Sequence, residues 1–147
     1  MKTEGKYDIL KLENQLCFPL YAASREVIKQ YKPYLDKIDL TYTQYVAMLL
    51  LWENKTMTVK ELGEHLYLDS GTLTPLLKKL EAKGFISRVR STADERNLNI
   101  NLTAEGEKLR EKALEIPHCV HRGTTLNEEE LENLYRTLYK IIEKSAK

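Results

Sequence analysis

Leu73, Leu76, Leu77 and Leu80 recur at helical spacing, which stacks them on one face of a helix. Asp69 stands just before this run, where a carboxylate can accept from the free N–H groups of a first turn. Gly84 stands just after it, as a helix stop. Upstream, Val59, Leu62 and Leu66 form the apolar side of a second, shorter helix, and Thr58 and Glu61 have capping-box spacing. Downstream, residues 85–90 and 98–102 alternate at period two, with the charged turn 91–97 between them. Short helix, turn, longer helix and hairpin make a winged helix-turn-helix, whose second helix enters a major groove.

The flanks are helical. A long helix is expected from about Tyr7 to Leu35, with Leu12, Leu16, Leu20, Ala23, Val27 and Tyr31 on one face. Pro19 kinks it or sets its first ordered turn, and Pro33 and Asp39 mark a break. Thr41 or Thr43 caps the next helix, which runs through Trp52; its apolar residues point all round, so it should be central and buried. Thr103 caps a helix with Leu109, Ala113 and Ile116 inward and Pro117 near its end. Asn127 and Glu130 cap the last helix, striped by Leu131, Leu134, Leu138 and Ile142. The fold class expected is mainly α with a small β-hairpin wing. The 147 residues form one domain: dimerisation helices over 7–38 and 104–147 frame a winged head over 41–103. Terminal stripes far in sequence from the head are most economically covered by a second copy, giving a two-fold dimer on a pseudo-palindrome.

The polar face of the central helix changes the picture from scaffold to reader. Ser70, Thr72, Thr74, Lys78 and Lys79 are hydroxylic or cationic groups suited to base edges and phosphates. Pro75 lies among them and breaks the local rule for a helix interior. The plain alternative is a solvated polar side. Net charge is only +1, so bulk charge gives no support for nucleic-acid binding. Local charge does: three lysines and three arginines lie between Lys78 and Arg96. Arg88 and Arg90 are candidate phosphate contacts, Arg96 a minor-groove contact, and Asp94 a residue that orients Arg96. The partner is double-stranded operator DNA. A charged N-terminus without an apolar leader, and no apolar run of membrane length, imply a cytoplasmic protein without a membrane partner. No cofactor is expected. No nucleophile elbow, carboxylate pair or phosphate-binding glycine loop marks an enzyme; a thiol peroxidase using both cysteines is the enzyme alternative.

Those cysteines are too few and too far apart for a disulfide framework. Cys17 lies in the apolar setting Leu16-Cys17-Phe18-Pro19-Leu20. It is either a small buried hydrophobe or a thiolate supported by helix N–H groups and tyrosine hydroxyls. Tyr31 and Tyr42 are the candidate donors, in a chain with nine tyrosines and two phenylalanines. Cys119, between His118 and His121, has three readings: an inert thiol, a partner for oxidised Cys17, or a zinc ligand. The zinc spacing is unusual and lacks a fourth ligand, so no metal is assigned.

Three blocks, residues 11–18, residues 66–75 and Asp94-Glu95-Arg96-Asn97, resemble the organic hydroperoxide resistance regulators. These are a redox-sensing branch of the MarR-type repressors. The resemblance implies a dimeric winged-helix repressor. Organic hydroperoxide oxidises Cys17 to a sulfenic acid, and Tyr31 and Tyr42 hydrogen-bond the sulfur, across the dimer. It also implies the two-cysteine type, in which Cys119 resolves Cys17 as an intersubunit disulfide and DNA is released. Other members end as mixed disulfides with low-molecular-weight thiols, and thiols or dithiols act as reductants. Thiol-based global virulence or stress regulators share these blocks. A regulator answering to a metal or a small phenolic ligand is the alternative.

Overall fold

A computed structural model describes residues 5–90, 98–121 and 125–145. Two short 3-10 turns, Asp8–Leu10 and Leu12–Asn14, lead into α1, Cys17–Leu35. After a further turn, Asp36–Ile38, come α2 (Tyr42–Asn54), β1 (Thr56–Thr58), α3 (Val59–Leu66) and α4 (Ser70–Ala82). Then follow β2 (Ile86–Arg90), β3 (Leu98–Leu102), α5 (Ala104–Ala113), α6 (Glu115–His121) and α7 (Glu128–Ser145). The fold is mostly helical with one small antiparallel sheet. Its strand order is β1-β3-β2, with Ile100 opposite both Met57 and Arg88. The expected hairpin therefore supplies the central strand, β3, and one edge strand, β2, of a three-stranded sheet. β1 is three residues long, too short to announce itself by alternation.

The expected helix from Tyr7 begins ten residues later. A helix continuous through Gln15 would press the Pro19 ring against the Gln15 carbonyl. With the start at Cys17, Pro19 is the third residue, where no helical N–H is needed. The preceding segment is folded instead by side chains: Asn14 Nδ2 donates to the Asp8 carbonyl at 2.7 Å, and Gln15 Nε2 to the Lys11 carbonyl at 3.2 Å. Pro33 does not end α1; the break comes at Asp39, whose φ of 53° is left-handed. The helix expected after Thr103 is two. Pro117 stands four residues after Ala113, the last residue of α5, and occupies the first turn of α6.

Local capping follows the sequence closely. Thr41 and Gln44 form a capping box, so Thr41 rather than Thr43 starts α2. Thr58 and Glu61 form another at α3, and Asn127 and Glu130 satisfy each other's backbone N–H at α7. Gly84 (φ 76°) ends α4, with Phe85 N–H returning to the Leu80 carbonyl at 3.1 Å.

The core sits around α2, which packs against α1, α3, α4, α5, β1 and β3. Met48, Leu51, Leu62, Leu73, Leu77, Leu80, Ile86 and Ile100 are fully buried. Only Leu49 of the apolar run on α2 is strongly exposed, at 43%. Leu109, Ala113 and Ile116 are inward as expected. The outer helices differ. On α1, Phe18, Tyr21, Val27 and Ile28 are exposed, and Leu16 before it is 64% exposed. On α7, Leu134, Tyr135, Tyr139 and Ile141 are exposed. Among the described residues, these apolar side chains are left partly to solvent within one protomer. Among the described residues, no helix is long and apolar enough to cross a membrane.

Candidate nucleic-acid interface and thiol site

The reading head is built from caps and one tight turn. Asp69 caps α4: its Oδ1 accepts from the Thr72 N–H at 2.9 Å and its Oδ2 from the Thr72 hydroxyl at 3.2 Å. The Thr72 backbone bond, then its hydroxyl, hold the Asp69 carboxyl below the usual range, so the cap is charged at neutral pH. Between α3 and α4 the chain turns at Tyr67, left-handed at φ 54°. Gly63 makes room for this turn, since a Cβ there would lie 2.8 Å from the Leu68 carbonyl. A glycine inside so short a helix was a legible sign of close approach.

With Leu73, Leu76, Leu77 and Leu80 turned into the core, the other side of α4 is fixed. Ser70, Thr72, Thr74, Pro75, Lys78 and Lys79 are all exposed. Arg90 is exposed at the outer end of β2. Arg88 differs: its Nε donates to Glu81 Oε2 at 2.7 Å, so it is engaged by the last turn of α4. Asp94 and Arg96 lie outside the described residues.

Long-range contacts that no local pattern announces hold the head to the rest. Trp52 Nε1 donates to the Gly106 carbonyl at 2.8 Å, and Lys55 pairs with Glu107 at 2.5 Å. Gly106 itself is required, because a Cβ would meet the Phe85 carbonyl at 2.1 Å. At the far end of α4, Lys83 pairs with the Asp39 carboxylate at 3.0 Å and also reaches the Asp39 carbonyl. That pair joins the reading helix to the α1–α2 junction. A cleft of about 1210 Å³ opens between α3, α4, β3 and α7; Ser70 and Thr74 line it, with Ile141 and Ile142 opposite.

These elements are those of a DNA-reading head, and the comparisons agree. The family model for the transcriptional regulator SarA/Rot matches residues 29–116. The organic hydroperoxide resistance transcriptional regulator of Bacillus subtilis (strain 168) is 56% identical over 140 residues, covering 95% of each chain. The chain belongs to the MarR/SarA-type winged-helix regulators. It is a DNA-binding transcriptional regulator by that membership. Two solved forms of the regulator AbfR of Staphylococcus epidermidis are similar to it. Reduced AbfR bound to DNA superposes with a TM-score of 0.79 at 34% identity, covering 97% of this chain and 100% of AbfR. The disulfide form superposes with 0.66 at 37% identity, covering 93% and 96%.

The thiols of this regulator lie at its framing helices. Cys17 is the first residue of α1 and is exposed, in place of the buried hydrophobe that its apolar neighbours allowed. Cys119 is half-exposed on α6, which packs against α1. The zinc alternative depends on His121, whose side chain lies outside the described residues. Tyr31 and Tyr42 meet edge to face with ring centroids 5.0 Å apart, and Tyr45 lies 6.0 Å from Tyr31. Burial, and then the neighbouring Tyr42, push the Tyr31 hydroxyl upward, so it stays a protonated donor at neutral pH. Cys17 and Tyr31 stand fourteen residues apart on one helix. At the helical rise this is roughly 21 Å along the axis, beyond the reach of a tyrosine. One protomer therefore does not bring its Cys17 to its own Tyr31 and Tyr42.

Proposed function

We propose that this regulator is a redox-sensing repressor: a reduced homodimer binds operator DNA, and oxidation of Cys17 by an organic hydroperoxide releases it. The observation that carries the reading is the exposed Cys17 thiol at the start of a helix whose apolar side chains Phe18, Tyr21, Val27 and Ile28 are exposed among the described residues. A second copy covers those side chains and supplies Tyr31 and Tyr42 to the thiol. The head's likeness to reduced, DNA-bound AbfR supports the reduced chain as the binding form.

Each step follows from this assembly. Two heads read half-sites about 34 Å apart, one helical turn of DNA. Ser70, Thr72, Thr74, Lys78 and Lys79 face the major groove, Arg90 a phosphate and Arg96, oriented by Asp94, the minor groove. The Cys17 thiolate attacks the terminal peroxide oxygen; the O–O bond breaks, an S–O bond forms, and the alkoxide takes a proton and leaves as an alcohol. The apolar side chains of Leu16 and Phe18 favour organic peroxides over hydrogen peroxide. The Cys119 thiol of the other protomer then displaces water from the sulfenic acid, giving a disulfide. Its Cα atoms must come within about 7 Å, so the framing helices shift. Their shift reaches α4 through Asp39 and Lys83, and the heads lose the half-site spacing. A dithiol reverses the step by thiol–disulfide exchange.

The test is a gel shift on the DNA upstream of the protein's own coding sequence, with cumene hydroperoxide and then excess dithiol. The reduced protein should bind, the oxidised protein release, and the dithiol restore binding. Cys17→Ser should bind and ignore the peroxide; release by that variant would remove Cys17 as the sensor. Cys119→Ser should lose the reducible dimer band on a non-reducing gel, and an unchanged band would remove its resolving role. The cleft beside Ser70 and Thr74 supports a second reading, release by a small apolar ligand, marked by peroxide-independent release.

A further inference from the structure

Arg88 stands in a basic stretch of the head, where charge alone would enlist it to hold a phosphate. Its guanidinium is already engaged. Nε and Nη2 both lie 2.7 Å from Glu81 Oε2, and the Arg88 backbone N–H donates to Glu81 Oε1 at 3.2 Å. One carboxylate thus receives the main chain and the side chain of one residue. The two side chains are only 24% and 36% exposed, so water and salt screen the pair less than a fully exposed one. Glu81 is in the last turn of α4, and Arg88 is the middle residue of β2.

We propose that Glu81 is a specificity-determining residue that withholds Arg88 from the DNA backbone, so that affinity rests more on groove reading by α4 and less on unselective charge. The proposal rests on the assignment of α4 and the wing as the DNA-reading surface. Phosphate contacts carry no sequence information, and they supply essentially all of non-specific binding. A cation released on β2 can find a phosphate in any loosely docked register. The specific complex, whose register α4 fixes, gains less from it. Removing the Glu81 charge should therefore tighten binding to arbitrary DNA more than binding to the operator.

The test measures binding to a duplex of the protein's own upstream DNA and to a scrambled duplex of equal composition, between 50 and about 200 mM salt. The proteins are the full-length chain and its Glu81→Gln, Arg88→Gln and doubly substituted variants. One added phosphate contact steepens the salt slope by about 0.9. Glu81→Gln should therefore bind the scrambled duplex more tightly at low salt, with an advantage that shrinks about 3.5-fold over this range. Arg88→Gln and the double variant should keep the slope of the unsubstituted protein. An unchanged slope in Glu81→Gln overturns the proposal. So does a slope shallower by about 0.9 in Arg88→Gln, since Arg88 would then already be on a phosphate. This second result stands even if Glu81→Gln folds poorly. If the unsubstituted protein does not prefer its own upstream duplex, the reading of α4 falls, a failure distinguishable from that of Glu81 alone.

Discussion

Two inactive variants, mixed, should restore one working peroxide sensor. The roughly 21 Å of helix between Cys17 and Tyr31 puts a chain's own tyrosine beyond its own thiol. Tyr42, at the start of α2, meets Tyr31 edge to face and so lies at the same end of α1. Take one chain with Cys17→Ser and another with Tyr31→Phe and Tyr42→Phe, joined as tagged heterodimers. Acting in trans, the tyrosines of the first chain meet the only Cys17, that of the second. Acting in cis, that Cys17 has only phenylalanines. A hydrogen bond to a charged partner contributes about 1.5–3 kcal/mol. Losing even one should slow the reaction about ten-fold or more if the bond strengthens in the transition state. The assay is trapping of the sulfenic acid on the Cys17 chain during exposure to cumene hydroperoxide. The heterodimer should label at least about ten-fold faster than the Tyr31→Phe/Tyr42→Phe homodimer. Equal, slow labelling of both would refute tyrosine support across the dimer.

Other substitutions test the scaffold. Pro75→Ala restores an N–H that can donate to the Gly71 carbonyl, so the reduced protein should gain up to about 3 kcal/mol, read as a higher Tm; no rise would mean that α4 bends to accommodate the ring. Gly106→Ala drives a Cβ into the Phe85 carbonyl and toward Leu102. Its Tm should fall by several degrees, a loss of at least about 1–3 kcal/mol, and an unchanged melt would contradict the close approach of α5 to the base of the wing. Burial, then Tyr31 and Tyr42, push Tyr45 up to about 12. A neutral tyrosine in the fold and an ionising one in the unfolded chain make stability full below about pH 10, then falling as pH rises toward 12. Denaturant titrations at pH 9 and 11 should show that fall, smaller in Tyr45→Phe; an equal fall in both would assign it elsewhere.

Residues close in sequence settle much of this molecule. The Leu73–Leu80 stripe, the Asp69 cap, the paired caps at Thr58 and Asn127 and the stop at Gly84 act within a few residues of themselves. Short-range sterics and hydrogen bonds decide them, so the chain alone determines where the reading helix starts, ends and turns its polar side. Pro19 left two options in the sequence, a kink or a first ordered turn, and α1 takes the second, with Pro19 in its first turn. Tertiary structure alone decided what lies between distant residues. It brought β1 to β3, Trp52 to Gly106, Lys83 to Asp39 and Arg88 to Glu81. It also left apolar side chains of α1 and α7 exposed within one protomer, whereas the distance from Cys17 to Tyr31 along one helix follows from the chain's own helical spacing. Such contacts depend on how whole elements pack, and a one-dimensional pattern carries the periodicity of each element but not the distance between two.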